Sequence, residues 1–297
     1  MTADSDRARG LVVVTVGVIV LSPDTLLIRL IETDHWTLLC SRGFLVALAL
    51  GGYIVVRERG GTVAQFRALG ALGLLTSGFY ALSTILFVNS VRLTAVSNTL
   101  VILSAMPLVA AILGRTCFGE TLPRRTWIAS LVTLCGIAVI FSGSLDGGAF
   151  VGDLSALGTT AAMAAVLVIL RHDRQINALA AMSLGGLIGG IATLPAATPS
   201  AIDARDLVLL LLLGLVVVPV AFGLITLGPR YLPAPEVSLI MLLEALLGPL
   251  WVWLVIGEIP PRETVLGGIV VLGALVVHFA AGLWGGRRMK NRIGTET

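Results

Sequence analysis

The chain has 297 residues, of which 57% are hydrophobic and 12% are charged, and its net charge is +3 at pH 7. Soluble domains carry roughly 25% charged residues, so this composition excludes an ordinary water-soluble protein and indicates that lipid is the solvent. The small positive charge also argues against nucleic acid as a partner, because the only basic stretch without apolar neighbours is the C-terminal tail.

Ten apolar segments follow one another along the chain. A helix needs about 20 apolar residues to cross roughly 30 Å of hydrocarbon, and each segment has about that length. The segments are residues 11–31, 36–56, 68–88, 94–114, 125–143, 153–170, 176–197, 206–227, 235–256 and 263–284. They predict an all-α, polytopic membrane protein with ten transmembrane helices. The first segment lacks a cleavage-site pattern, so we expect it to be retained.

The basic residues predict an orientation. With the N-terminus in the cytoplasm, most of the 20 Lys and Arg residues fall in cytoplasmic segments, as the positive-inside rule requires. Acidic residues such as Asp153 and Asp206 then fall outside, and tryptophans such as Trp36 and Trp127 mark the two interfaces. We therefore expect a multi-pass protein of the plasma (bacterial inner) membrane with both termini in the cytoplasm.

A repeat at half the chain length organises these segments. Residues 119–126 (GETLPRRT) return as residues 257–264 (GEIPPRET), and the same register aligns Asn98 with Glu236. Each copy then contains five helices, an odd number, so the second copy must run inverted across the membrane. We predict a first repeat over 1–145, a second over 146–286 and a cytoplasmic tail over 287–297.

Several short stretches resemble the drug/metabolite transporter superfamily, in particular its EamA-type ten-span transporters. These stretches are Arg42-Gly43-Phe44, Pro107 to Glu120, Gly152-Asp153-Leu154 and Leu243 to Glu258. The resemblance implies a secondary transporter, an exporter of small metabolites, with its pocket between the two five-helix bundles. Where the family often has Glu-Pro this chain has Glu244-Ala245, and its first segment lacks the glutamate that the small multidrug exporters use.

Two ionisable residues lie deep in the last two segments. A charged side chain at the bilayer centre costs at least about 2.5–3.5 kcal/mol on insertion scales, so each such residue needs a reason. Glu244, near the middle of the ninth segment, is expected either to bind a proton or a cationic group of a substrate, or to serve as a structural acceptor. His278 is a candidate partner of Glu244, or an interfacial residue.

The first two segments contain a second pair of charges. Asp24 follows Pro23, which removes a backbone donor and breaks the helix, so Asp24 is expected to face an outer vestibule or to pair with Arg29 or Arg42. Arg42 is expected to pair structurally, to snorkel outward or to attract an anionic substrate.

Uncharged polar residues suggest a path for the substrate. Tyr80, Ser83 and Thr84 share one face of the third segment by their spacing, and Asn89 extends this polar stripe. Asn98 opens the fourth segment. Each is expected to line the substrate path or to bond to a neighbouring helix.

The repeated hinge supplies four further candidates with a structural role. Glu120 and Glu258 each lie just past a helix end, four residues before Arg124 and Arg262 respectively. Each glutamate is expected to satisfy backbone groups at the next helix start or to pair with that arginine.

Glycine and proline predict how the segments pack and bend. The run 185–190 (GGLIGG) contains two overlapping G-x-x-x-G pairs and predicts close helix packing. Pro107, Pro219 and Pro249 are expected to kink the fourth, eighth and ninth segments.

Metal and cofactor chemistry has little support in the sequence. The three cysteines, Cys40, Cys117 and Cys135, are odd in number and lack C-x-x-C spacing, so we expect no disulfide framework, no metal site and no cofactor. An intramembrane enzyme would need a nucleophile turn or a histidine cluster, and neither pattern occurs.

The remaining alternative, a membrane scaffold, would not require an inverted repeat or a midplane carboxylate. The sequence thus favours a secondary transporter, a permease or exporter of a small-molecule substrate that works by alternating access, with the proton as a candidate coupling ion. Its expected surroundings are the lipid bilayer, and a homodimer is a candidate assembly.

Overall fold

The fold is known from a computed structural model that describes residues 2–58, 61–119, 121, 124–144, 149–227, 231–232 and 234–293. Within these ranges the chain is helical and contains no β-strand. Side chains are described throughout these ranges except at residues 2–6, 58, 62, 201, 234–235 and 281–293.

The helices of the first half begin and end as follows. They are α1 (Thr2–Leu21), α2 (Asp24–Leu30), α3 (His35–Glu58), α4 (Thr62–Arg67), α5 (Gly70–Leu93), α6 (Val96–Ser104), α7 (Met106–Phe118) and α8 (Arg124–Ser142). Here α1 with α2, and α6 with α7, each form one broken span.

The second half repeats this pattern with one irregular segment. Its helices are α9 (Ala149–His172), α10 (Ala178–Thr193), α11 (Ala204–Leu211), α12 (Val218–Ile225), α13 (Ala234–Met241), α14 (Glu244–Ile256) and α15 (Arg262–Ile293). A π-helical turn, Leu212–Val217, joins α11 to α12. The last helix continues into the segment that the sequence assigns to a tail.

The spans agree with the sequence prediction. Among the described residues, nine helices are long and apolar enough to cross a membrane, and α6 with α7, bent by 41°, forms a tenth candidate span. The ends of the spans define two faces: the N face carries Arg7 and Phe118, and the far face carries Leu30 and Val96.

The two halves are inverted repeats. Helix α1 packs on α12 while α9 packs on α5, and α6 packs on α14 near the middle of the bundle. Helices α3 with α10, and α8 with α15, pair across the two halves. The half-helices α7 and α14 end at Gly119 and Gly257, which adopt left-handed φ angles of 67° and 78°. The sequence prediction of two inverted five-helix repeats is confirmed.

Breaks in the spans follow the prolines in part. Pro107 lies at the start of α7, directly after the bend at Ala105, and Pro219 follows the π-helical turn. The ninth span, however, breaks at Leu242 and Leu243, and Pro249 lies inside α14. The expectation that Pro249 sets this kink is therefore wrong. Backbone bonds spanning three residues tighten the break instead, including that from the Ala245 N–H to the Leu242 carbonyl.

Glycine permits a very close contact between α3 and α10. A Cβ on Gly43 of α3 would lie 2.6 Å from the Gly186 carbonyl oxygen and 2.7 Å from the Gly190 nitrogen, both on α10. Only a residue without a side chain allows two backbones to approach this closely. The predicted packing role of the 185–190 run thus has a physical basis, and the contact joins the two repeats.

Candidate functional site

A break in the first span begins the site. Pro23 has no N–H, so the carbonyl of Ile19 loses its helical partner. The hydroxyl of Ser22 replaces it, donating to the Ile19 oxygen at 2.8 Å. Ser22 also accepts a hydrogen bond of 2.9 Å from the Trp251 ring nitrogen of α14. The break is therefore satisfied by side chains and tied to the second repeat.

A buried ion pair lies directly after this break. Asp24 is 3% exposed and Arg42 is 7% exposed, and Arg42 Nη2 donates to Asp24 Oδ2 at 3.1 Å. The Arg42 guanidinium also lies over the ring of Phe87 on α5, 5.6 Å from its centroid, a favourable cation–π distance. Of the two arginines that the sequence offers to Asp24, it is Arg42 that makes the contact, and three helices meet there.

The ion pair leaves polar atoms without partners. Within the described part of the chain, no hydrogen bond reaches Asp24 Oδ1, Arg42 Nη1 or the hydroxyl of Thr25, although all three atoms are buried. A buried polar atom without a partner costs about 1–3 kcal/mol. One carboxylate acceptor, one guanidinium donor and one hydroxyl thus stay available to a polar group that enters between the helices.

Glu244 approaches the same place from the second repeat. It begins α14 directly after the break in the ninth span and is half-buried. Asp24 lies close enough for its negative charge to act on the carboxylate of Glu244. Gly248, one helical turn on, lies against α2, since a Cβ there would be 3.3 Å from the Thr25 hydroxyl. With Trp251, these residues form the face of α14 that meets the break in the first span.

The arrangement has a defined chemistry. Two carboxylates, Asp24 and Glu244, and one guanidinium, Arg42, come from both repeats and converge where two spans are broken. Such a set can hold a cationic group on one side and an anionic group on the other. A cleft near the far face is lined by Val96, Ser97, Pro249, Val252, Glu258 and Pro260, and none of the three charged residues lines it.

The polar stripe on α5 lies apart from these charges. Tyr80 is packed in an apolar cluster with Val166 and Ala181 of the second repeat, and Ser83 donates to the Tyr80 carbonyl at 2.9 Å. Thr84 is half-buried one residue further on. Asn89 lies beside the side chain of His35 at the far face. On α5 it is Phe87, and not a residue of the stripe, that contacts Arg42.

Asn98 belongs to a separate buried cluster at the far face. Its side-chain nitrogen donates to Asp153 Oδ1 at 3.0 Å and to Thr94 Oγ1 at 3.1 Å, and its oxygen accepts from the Thr264 hydroxyl. Ser144 and Thr94 also donate to Asp153. Asp153, which the sequence places outside, is fully buried, and its donors among the described residues are uncharged.

The hinge residues contact other partners than those expected. Glu258 pairs with Arg29 at 3.1 Å and accepts from the Val96 N–H at 2.9 Å, so it caps α6 and does not pair with Arg262, which is exposed. Arg124 is also exposed. Glu120 lies outside the described residues.

His278 contacts the fifth span. It interacts with the backbone of Arg125 near the start of α8, and within the described structure its Nδ1 atom has no hydrogen-bond partner. Among the described residues no hydrogen bond or ion pair joins His278 to Glu244, so the suggested pairing is not made in this structure.

Four residues of the site were not found from the sequence. Ser22, Thr25, Phe87 and Trp251 join Asp24, and each of them looks ordinary in its own segment. For Ser22 a local signal existed, since a serine before a helix-breaking proline is placed to bond the freed carbonyl. For the other three the contact is made between distant segments, and no local pattern identifies it.

Comparisons with known proteins agree with this architecture. A family model described as "EamA-like transporter family" matches residues 8–142 and 150–280. A solved crystal structure, titled "Crystal structure of protein", aligns with a TM-score of 0.65 at 15% identity, over 92% of this chain and 97% of the other. At that identity the likeness shows the fold alone. None of the curated proteins compared matches the chain.

Proposed function

Because the chain belongs to the EamA-like transporter family, whose model matches both repeats, we propose that it is a secondary transporter of small charged metabolites. It works by alternating access, and the solute binds at Asp24, Arg42 and Glu244. The observation that carries this proposal is the buried Asp24–Arg42 pair with its free Oδ1 and Nη1 atoms. Structural ion pairs in a membrane interior are normally fully hydrogen-bonded, because unsatisfied charges there are costly.

The charges of the site support a zwitterionic solute. An ammonium group would be neutralised by Asp24 or Glu244, and a carboxylate would accept from Arg42, which forms bidentate bonds with such groups. A purely anionic solute would meet two carboxylates, and a purely cationic one would meet the guanidinium. A small molecule with both charges matches the set best.

The direction and coupling of transport are proposed from the same residues. The N face is the cytoplasmic side of the plasma membrane, since it carries most of the basic residues. Glu244 is the coupling residue, because it is the one carboxylate of the site that has no arginine partner. Exchange of a proton for a solute ammonium group at Glu244 would drive export.

Uptake into proteoliposomes tests the solute class. The wild-type protein is expected to accumulate a zwitterionic amino acid, whereas the decarboxylated amine and the deaminated acid of the same carbon skeleton are not accumulated. The control variant Glu32→Gln removes a carboxylate from an exposed pair with Arg205 and is expected to transport like wild type. Equal uptake of all three solutes would refute the zwitterionic assignment.

A further inference from the structure

Among the described residues, an ion pair joins the two repeats at the N face. Arg7 of α1 donates to both carboxylate oxygens of Glu236 on α13, at 2.9 and 3.2 Å. The Arg7 side chain is 46% exposed and that of Glu236 is 11% exposed. This pair joins the first span to the ninth at the end of the bundle opposite to Asn98.

Glu236 and Asn98 occupy the same position of the two repeats. The register that superposes Gly119 on Gly257 also superposes Asn98 on Glu236, and both lie in the first half-helix of a broken span. Asn98 of the first repeat binds Asp153 on α9, which is the first span of the second repeat. Glu236 of the second repeat binds Arg7 on α1, which is the first span of the first repeat. The same interhelical contact is thus made once on each face.

We propose that these two contacts are the alternating latches of the transporter. The far-face latch, Asn98 with Asp153, must open before a solute reaches Asp24 from that side, and the N-face latch, Arg7 with Glu236, must open for access from the other. The inference rests on the proposed function, since it describes how access to that site is controlled. In an inverted repeat, equivalent residues are the expected place for equivalent gates.

The two latches differ in strength. The far-face latch is buried, and Asp153 accepts from three side chains, those of Thr94, Asn98 and Ser144. The N-face latch is one partly exposed ion pair, a kind of contact that is worth little in water. The N face is therefore the side that opens more readily.

Thiol labelling measures this opening without transport. The reporter is Thr25→Cys, beside Asp24, in a chain whose Cys40, Cys117 and Cys135 are replaced by alanine. A membrane-impermeant maleimide is applied to one face at a time, in vesicles of known orientation. Glu236→Gln is expected to raise the labelling rate from the N face by roughly two- to fivefold, the population shift that loss of a partly exposed ion pair allows.

The charge-swapped pair Arg7→Glu with Glu236→Arg is expected to restore the slow rate, since it rebuilds the ion pair. Thr264→Val removes only the donor to the Asn98 oxygen and is expected to raise labelling from the far face. The control Glu32→Gln, in an exposed pair of the far face, is expected to leave labelling from the N face unchanged.

An unchanged rate in Glu236→Gln, or a charge swap that labels as fast as the single variant, overturns the N-face latch. An unchanged rate from the far face in Thr264→Val overturns the far-face latch. If the variants label as expected but no solute is transported, the latches stand and the proposed function fails.

Discussion

Met106 and Glu244 occupy equivalent positions, each as the first residue of the second half-helix in a broken span. Both half-helices end at a glycine with a left-handed φ, Gly119 and Gly257. The backbone break is therefore symmetric, whereas the charge is not, because only the second repeat places a carboxylate there. The inverted repeat supplies two interrupted spans, whose half-helices α6 and α14 pack against each other.

The Asp24–Arg42 pair is expected to hold the first three spans together. Asp24→Asn or Arg42→Gln alone is expected to destabilise the protein by about 3–5 kcal/mol, because each leaves an uncompensated buried charge. The double variant Asp24→Leu with Arg42→Met is expected to lose much less. Thermal unfolding in detergent, monitored by the tryptophans, gives the comparison.

A matched pair is available on the protein surface. Removing Glu32, which is 78% exposed in its pair with Arg205, is expected to change stability by at most about 1 kcal/mol. If the double variant were as unstable as the single ones, the destabilisation would come from lost packing and not from an unpaired charge.

Two glycines of one helix test the contact between α3 and α10. Gly43→Ala is expected to cost about 1–3 kcal/mol, because its methyl group would collide with the backbone of Gly186 and Gly190. Gly52→Ala has open space around the new methyl group, and alanine favours a helix over glycine by about 1 kcal/mol.

The two glycine variants are expected to shift the unfolding temperature in opposite directions. A Gly43→Ala protein as stable as Gly52→Ala would show that α3 and α10 do not approach as closely as described.

Asp34 is expected to make the far-face loops sensitive to acid. Loss of some surrounding water raises the pKa of the exposed Asp34, but hydrogen bonds from Thr37, Thr198 and Trp36 outweigh this effect and hold the pKa below its usual range. These bonds cap α3 and tie it to the loop before α11. Their contribution is present above the unfolded pKa of about 3.9 and is lost as the pH falls through the lower folded value.

Unfolding temperatures between about pH 3 and pH 6 check this sign. The wild-type protein is expected to lose stability toward the acid end, and Asp34→Asn is expected to show a smaller loss. A variant that loses stability to the same extent would assign the acid sensitivity to another carboxylate.

The fold was predictable because the length of each apolar segment and the two matching hinge stretches can be read directly from the sequence. Ten apolar segments and the match between 119–126 and 257–264 gave the number of spans and their inversion, and Pro23 marked the break before Asp24. The break at Leu242 and Leu243 was not predicted, because neither residue is a helix breaker.

The site was predictable only in its charged members. Asp24, Arg42 and Glu244 stand out because charges are rare in apolar segments, and the sequence offered Arg42 as one partner for Asp24. The partners of Asp153 and Glu258 were not foreseen, because their contacts join helices far apart in sequence. The bond from the Trp251 ring nitrogen to Ser22 joins α14 to the break in the first span, and these residues are likewise far apart in sequence.

The measurement that tests the central claim most directly is solute flux in proteoliposomes at several pH values, with wild type beside Glu244→Gln. The account predicts that wild-type flux depends on the proton gradient and that the variant loses this dependence, because glutamine cannot exchange a proton at the site. An unchanged pH dependence of flux in Glu244→Gln would contradict it.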